Sequence, residues 1–160
     1  MSAEVTERRT WEGRPTVLTW LPGYQPSSGE AVTQISGVCL TEEGRVVLVS
    51  ENGETWSLPG GHPEAGEDWE ATMRREVQEE ACAEVLACRL LGAVRVEGLT
   101  PEPYFQLRYQ ARVRLDVFTP VFEMRHRVAV SPTEVTRLLL WAAGPIGRAL
   151  LADALAQDVP

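Results

Sequence analysis

The sequence predicts an α+β fold, a mixed sheet flanked by helices, and three observations carry that reading. Several Val- and Ile-rich runs of strand length are separated by turn signals. One stretch, Asp68 to about Cys82, changes to helical periodicity, with Trp69, Met73, Val77 and Ala81 spaced four apart. A last amphipathic segment, Ile146 to Ala156, follows the helix breaker Gly144-Pro145. At 160 residues, with 44% hydrophobic and 24% charged residues, the chain suits one globular domain over residues 1–160 and neither disorder nor a fibrous repeat.

The opening stretch to Glu30 is punctuated by Gly13, Pro15, Pro22, Gly23, Pro26 and Gly29 around one apolar run, Thr16 to Leu21. Residues 1–30 therefore read as a partly irregular extension holding one strand. Ala31–Leu40 and Arg45–Ser50, joined through Glu42-Glu43-Gly44, predict a hairpin. Asn52-Gly53 turns the chain into a short strand, Thr55–Leu58, which Pro59-Gly60-Gly61-His62-Pro63 ends. The Asp68–Cys82 segment has good helix formers, no Gly or Pro, and acidic residues in its first turn, where the helix dipole is positive.

Strands resume at Leu86–Val96 and Tyr104–Val117. The second alternates, with Phe105, Leu107, Tyr109, Ala111, Val113 and Leu115 on one side and Gln106, Arg108, Gln110, Arg112 and Arg114 on the other. A further strand is expected over Val121–Val130. Ser131-Pro132-Thr133-Glu134 then reads as a helix start, with Pro at the first helical position.

Charge excludes one class of partner. A formal net charge of −8 and a pI near 4.8 argue against wrapping a nucleic-acid polymer, which requires many Lys and Arg on phosphates. A small phosphorylated ligand stays compatible if a divalent cation or a local cluster of arginines offsets the repulsion. No run approaches the roughly 18 apolar residues of a membrane span, and Met1–Thr10 lacks the apolar core of a signal peptide. Cys39, Cys82 and Cys88 are odd in number and form no CxxC pair, so they read as reduced thiols and the expected compartment is the cytoplasm.

The chemistry concentrates between residues 61 and 80. With Trp69 at zero on a helical wheel of 100° per residue, Met73, Val77 and Ala81 fall at roughly 40°, 80° and 120°, the buried stripe. Glu76, Glu79 and Glu80 fall at roughly 340°, 280° and 20°, sharing a face beside it. Carboxylates three and four residues apart have Cβ atoms about 5–6 Å apart and repel. At an effective dielectric near 20 that repulsion approaches 3 kcal/mol per pair before relaxation. Such a face calls for a cation, and an all-carboxylate donor set suits Mg²⁺, with Mn²⁺ as a substitute, better than Zn²⁺. Arg75, one turn before Glu79, can orient that carboxylate. The pair Gly60-Gly61 lets backbone approach a ligand, and a carbonyl there can add a neutral oxygen.

An isolated Glu-x-x-Glu-Glu is more often a solvated helix face. Its context is different here: Gly61, Glu67, Arg75, Glu76, Val77, Glu79 and Glu80 stand at the spacings of G-x5-E-x7-R-E-U-x-E-E-x-G-U, where U is aliphatic. Six fixed positions match by chance about once in 10⁷ start sites. This segment, Gly61 to Ala83, resembles the Nudix hydrolase signature, and Trp56-Ser57-Leu58-Pro59-Gly60-Gly61 is similar to the strand and loop that precede it in that family. Two positions depart, Cys82 standing for the usual glycine and Ala83 for a larger aliphatic. Neither is a ligand position, and Cys82 is expected to be a small buried hydrophobe.

The resemblance implies an α/β/α sandwich with a mixed central sheet and a loop-helix-loop site, and hydrolysis of a phosphoanhydride bond in a nucleoside diphosphate-linked compound or nucleoside triphosphate. It implies Glu76, Glu79 and Glu80 as metal ligands, to which the Gly61 carbonyl is added; Glu79 or Glu80 doubles as base, and Glu67 and Arg75 are structural residues. Glu123, outside the box, is the candidate auxiliary base; otherwise it is an exposed strand residue paired with Arg125 or Arg127. Arg108, Arg112, Arg114 and His62 are the candidate substrate-binding residues, with Tyr24, Trp20, Trp56 and Tyr104 as stacking residues or core. The expected partner is a small nucleotide or diphosphate, and a homodimer is left open. Two other readings survive: a catalytically silent module of the same fold that binds a nucleotide, and an isoprenyl diphosphate isomerase, which would need a reactive cysteine such as Cys39.

Overall fold

The computed structural model describes residues 1–156 and 158; positions 157, 159 and 160 of the expected domain lie outside the described residues. The first difference from expectation is at the N-terminus. Strands β1 (Val5–Trp11) and β2 (Arg14–Pro22) form a hairpin in place of an irregular extension. The turn is made by Glu12 and Gly13, both left-handed at φ 48° and 78°, as a tight hairpin turn requires. β1 escapes sequence reading because it is an edge strand, Val-Thr-Glu-Arg-Arg-Thr-Trp, mostly exposed and without apolar alternation. β2 pairs antiparallel with the long strand β6 (Ala83–Glu97), through Val17 opposite Glu97 to Pro22 opposite Gly92.

Strands β3 (Ala31–Leu40) and β4 (Val46–Ser50) form the expected hairpin. The expected strand Thr55–Leu58 reduces to one backbone bridge, Ser57 against Val49. Pro59 and the glycines after it cannot extend that ladder. The glycines instead form β5 (Gly60–Gly61), two residues antiparallel to Ile35 and Ser36 of β3. Helix α1 (Trp69–Ala81) follows, then β6, β7 (Tyr104–Leu115) and β8 (His126–Val130). β8 is shorter than the Val121–Val130 expected, because residues 116–125 run irregularly past Pro120 before pairing with β4 begins. Pro132–Glu134 makes a 3₁₀ turn into the short helix α2 (Val135–Leu138), with no side-chain cap from Ser131. The last helix is α3 (Pro145–Leu155).

The sheet order is β1-β2-β6-β7-β3-β4-β8 with β5 on β3; β3 and β7 run parallel and every other pair antiparallel, so the sheet is mixed. Its two faces hold separate cores. Met73, Val77 and Ala81 of α1 pack on Ile35, Val47, Val49, Leu107 and Ala111. Val135, Leu139, Ile146, Leu150 and Ala154 pack on Trp20, Val38, Leu48 and Val94 from the opposite side. The layers are therefore α/β/α, and β4, buried at all five positions, lies inside both. Among the described residues no helix is long and apolar enough to cross a membrane.

Candidate active site

α1 begins where Asp68 caps it, its carboxylate accepting from the Ala71 N–H at 2.7 Å. It ends at Cys82, which is left-handed (φ 49°, ψ 49°) and donates its N–H to Gln78 O at 3.1 Å. The position thus needs the conformation that glycine adopts most easily, and the thiol side chain is buried against Thr119. Arg127 of β8 closes this end, one guanidinium nitrogen donating to the carbonyls of Ala81, Cys82 and Asp116 at 2.8, 3.2 and 2.9 Å. A cation on the last carbonyls of a helix is favourably placed. Nothing in the sequence signalled this role.

Arg75 is the hub of the helix's polar face. Its Nε and one terminal nitrogen grip Glu67 at 2.7 and 3.0 Å, and the other nitrogen reaches Glu76 at 2.9 Å and Glu79 at 3.3 Å. The same guanidinium also donates to His62 O at 3.2 Å, which ties the loop to the helix. Thr72, which sequence reasoning missed, donates to Glu67 at 2.6 Å. Glu67 is therefore held as the anion, its pKa lowered to about 2 first by Arg75 and then by Thr72. Arg75 is in turn pushed up, chiefly by Glu67.

Glu80 has the opposite fate. Burial pushes its carboxyl up to about 8, and the negative charges of Glu76, Glu123 and Glu79 add to the shift, against a weak 3.4 Å hydrogen bond from the Gly60 N–H. Glu123, on the loop before β8, thus stands within electrostatic reach of the box carboxylates. The backbone comes close too: a Cβ on Gly61 would lie 2.4 Å from a Glu76 oxygen, and one on Gly60 2.3 Å from Ile35 O. His62 is exposed beside this loop, its Nδ1 on Thr33 O.

Among the described residues no group of three or more His, Cys, Asp or Glu side chains is gathered as a ready-made cage, Arg75 bridging Glu76 and Glu79. The donor chemistry nevertheless fits a hard divalent cation. The Glu76 carboxylate lies against Gly61, Glu80 accepts from the Gly60 N–H, and Arg75 joins Glu79 to Glu76, so three carboxylates stand on one helix beside a loop backbone, with burial first and the neighbouring acids second raising Glu80.

The structure does not bring Arg108, Arg112 or Arg114 to this site. Alternation along β7 sends them through the sheet, away from α1: Arg108 is buried on the α3 side, Arg112 is exposed, and Arg114 is exposed and paired with Glu84. Trp20 is fully buried, its indole N–H on Asp153 at 3.0 Å. Tyr24 stacks on Phe105, with ring centres 5.3 Å apart, and its hydroxyl meets Glu30. Cys39 lies in the core under α1, fully buried, its thiol pushed up to about 12 by burial. That is no nucleophile in a cleft, which removes the footing of the isomerase reading.

A family description of the NUDIX domain matches residues 9–143. The chain belongs to the NUDIX family. Among solved structures this NUDIX chain is similar to the Bacillus subtilis pyrophosphohydrolase BsRppH, with a TM-score of 0.71 and 20% identity over 92% of this chain and 94% of that one. It is also similar to a NUDIX hydrolase from Nitrosomonas europaea (TM-score 0.61, 20% identity, 79% and 89% covered). An ADP-ribose pyrophosphatase from Streptococcus suis gives a TM-score of 0.58 at 21% identity, with 79% and 92% covered. At these identities the likeness establishes the fold and leaves the chemistry to the residues in place.

Proposed function

We propose that this NUDIX protein hydrolyses a phosphoanhydride bond in a nucleoside diphosphate-linked compound or a nucleoside triphosphate, using Mg²⁺ with Mn²⁺ as a substitute. The observation that carries the reading is the intact carboxylate set, Glu76, Glu79 and Glu80, on one edge of α1 beside Gly61 and anchored from behind by the Arg75–Glu67 pair. A silent module of the same fold is free to lose any of these, and none is lost. Solved NUDIX structures of similar shape include enzymes named as pyrophosphohydrolases and pyrophosphatases, which supports the same class.

Glu76, Glu79 and Glu80 with the Gly61 carbonyl would hold the cation, which when bound neutralises phosphate charge and acidifies an attacking water. Arg75 and Glu67 fix the rotamers of the ligands. Glu79 or Glu80 accepts the proton of the attacking water, with Glu123 as auxiliary base because its charge is felt at Glu80. His62, exposed at the loop, is placed to touch a phosphate. We place the protein in the cytoplasm, acting as a monomer or homodimer on a small molecule.

The test is product release from a panel of nucleoside triphosphates, nucleotide sugars and dinucleotides with Mg²⁺, comparing wild type with Glu79→Gln and Glu80→Gln. Each substitution should lower kcat by about 100-fold or more while the fold persists. Activity within a few-fold of wild type would refute the metal assignment, and a wild type inert on every phosphoanhydride would favour the silent module.

A further inference from the structure

On the face of the sheet opposite α1, a cleft of about 250 Å³ lies between the β1–β2 hairpin, β6, β7 and the segment joining α2 to α3. Leu18, Val94 and Ile146 supply apolar walls and Trp141 a half-buried aromatic ring. Arg108 forms part of the lining and is only 8% exposed.

Its guanidinium spends two of five donors inside the protein, on the Leu107 carbonyl at 3.1 Å and the Gln106 side-chain oxygen at 3.0 Å, both neutral. Its Nε–H has no hydrogen-bond partner, and among the described residues no carboxylate pairs with it. The acid lining the cleft is Glu7, whose oxygens are already taken by the Ile146 N–H at 3.0 Å and by Arg9 at 2.5 Å. Arg9, half-exposed, stands at the same cleft.

An arginine buried without a counter-charge is costly, since a desolvated ion repays that cost only when it is paired. The expense is the more unusual in a chain of net charge −8, which has acids to spare. We infer that this cleft is a binding site for the oxyanion of a small phosphorylated molecule, taken by the guanidinium of Arg108, with Trp141 and the apolar walls receiving the body that carries it. A guanidinium fork matches two oxygens of a phosphoryl group side by side. Burial that lowers the Arg108 pKa to about 10 leaves the cation fully charged at neutral pH. The site lies across the sheet from the α1 carboxylates and needs no metal, so it stands whether or not the hydrolytic reading does.

The experiment uses the full chain in a chelator, which silences any cation at α1. Inorganic phosphate and adenosine 5′-monophosphate are titrated separately while melting temperature, Trp fluorescence and the Arg Nε–H NMR signals are followed, with adenosine as the uncharged control. Either anion should raise the melting temperature by a few degrees and shift the Arg108 Nε–H resonance. A response to phosphate alone assigns a free-anion site, and one needing the nucleotide assigns a site for the phosphorylated body; both support the inference.

Arg108→Met should weaken the response by at least about ten-fold. It should also melt no lower than wild type in the absence of ligand, because a buried unpaired charge has been removed. A merely structural Arg108 would instead melt lower on substitution. Glu79→Gln, at the other face, should leave the response intact. No response to either anion, or an equal response in Arg108→Met, overturns the site.

Discussion

At the scale of single residues, the two glycines before the box and the cysteine after it make different demands. A methyl on Gly60 would run into the Ile35 carbonyl at 2.3 Å and the Ser36 backbone at 2.6 Å, neither of which can move without breaking the β3–β5 pairing. The atoms nearest a methyl on Gly61 all belong to the end of the Glu76 side chain. Gly60→Ala should therefore cost about 3 kcal/mol in urea unfolding, whereas Gly61→Ala should cost about 1 kcal/mol. Gly61→Ala should nonetheless lower turnover by at least about ten-fold, because the carboxylate it displaces is a proposed metal ligand. Equal loss of stability in the two variants would mean that Glu76 is not free to swing. Cys82 occupies a left-handed conformation that costs a side-chain-bearing residue about 1 kcal/mol or more. Cys82→Gly should raise the melting temperature by roughly 3 °C without changing turnover, since the thiol hydrogen-bonds to Thr119 O and to no proposed site residue.

At the scale of elements, α1 was legible because its signals are local: an acidic first turn from Asp68, a stripe of four apolar residues, and polar positions at fixed offsets. The helix exit was not. Arg127 reaches the Ala81 and Cys82 carbonyls from 45 residues away or more in sequence, across β6, β7 and a loop. Arg127→Met should lower stability by about 2 kcal/mol, the order of charged hydrogen bonds lost from the carbonyls of buried Ala81 and Cys82. Because the end of α1 loosens while its start keeps the Asp68 cap, amide exchange should quicken at residues 79–82 before it does at 70–73. Uniform quickening along the helix would deny Arg127 that local role. Alternation along β7 was also legible, and it sorted the residues onto two faces correctly, the apolar set being the one that packs against α1. What alternation could not supply was the fate of the other face. The polar side with Gln106, Arg108, Gln110 and Arg112 reads as a face open to a substrate, yet the N-terminal hairpin and α3 cover it, burying Arg108 and Gln110. The covering strand β1 carries almost no apolar pattern, so the sequence offered no reason to expect a lid there.

At the scale of the whole molecule, two carboxyls displaced in opposite directions shape how stability follows pH. Glu67 titrates near 2 in the folded chain against 4.5 when unexposed to Arg75, so the stability it contributes is complete above about 4.5 and disappears as pH falls through 2. Glu80 titrates near 8, far above 4.5, so folding favours its protonated form and stability is lost as pH rises from about 4.5 towards 8, then levels off. In a chelator the urea midpoint should accordingly climb from pH 2 to about 5 and decline from there to about 8. A divalent cation at the carboxylates reverses the second limb alone, since it favours the ionised Glu80 and leaves the Arg75–Glu67 pair untouched. Saturating Mg²⁺ should thus flatten the profile between pH 5 and 8 in wild type. Glu80→Gln should flatten that limb without any metal, and Glu67→Gln should remove the acid limb in either condition. A wild-type profile in chelator with no decline above pH 5 would show that Glu80 is neither buried nor crowded enough to favour its protonated form, and would remove the electrostatic support for a cation beside α1.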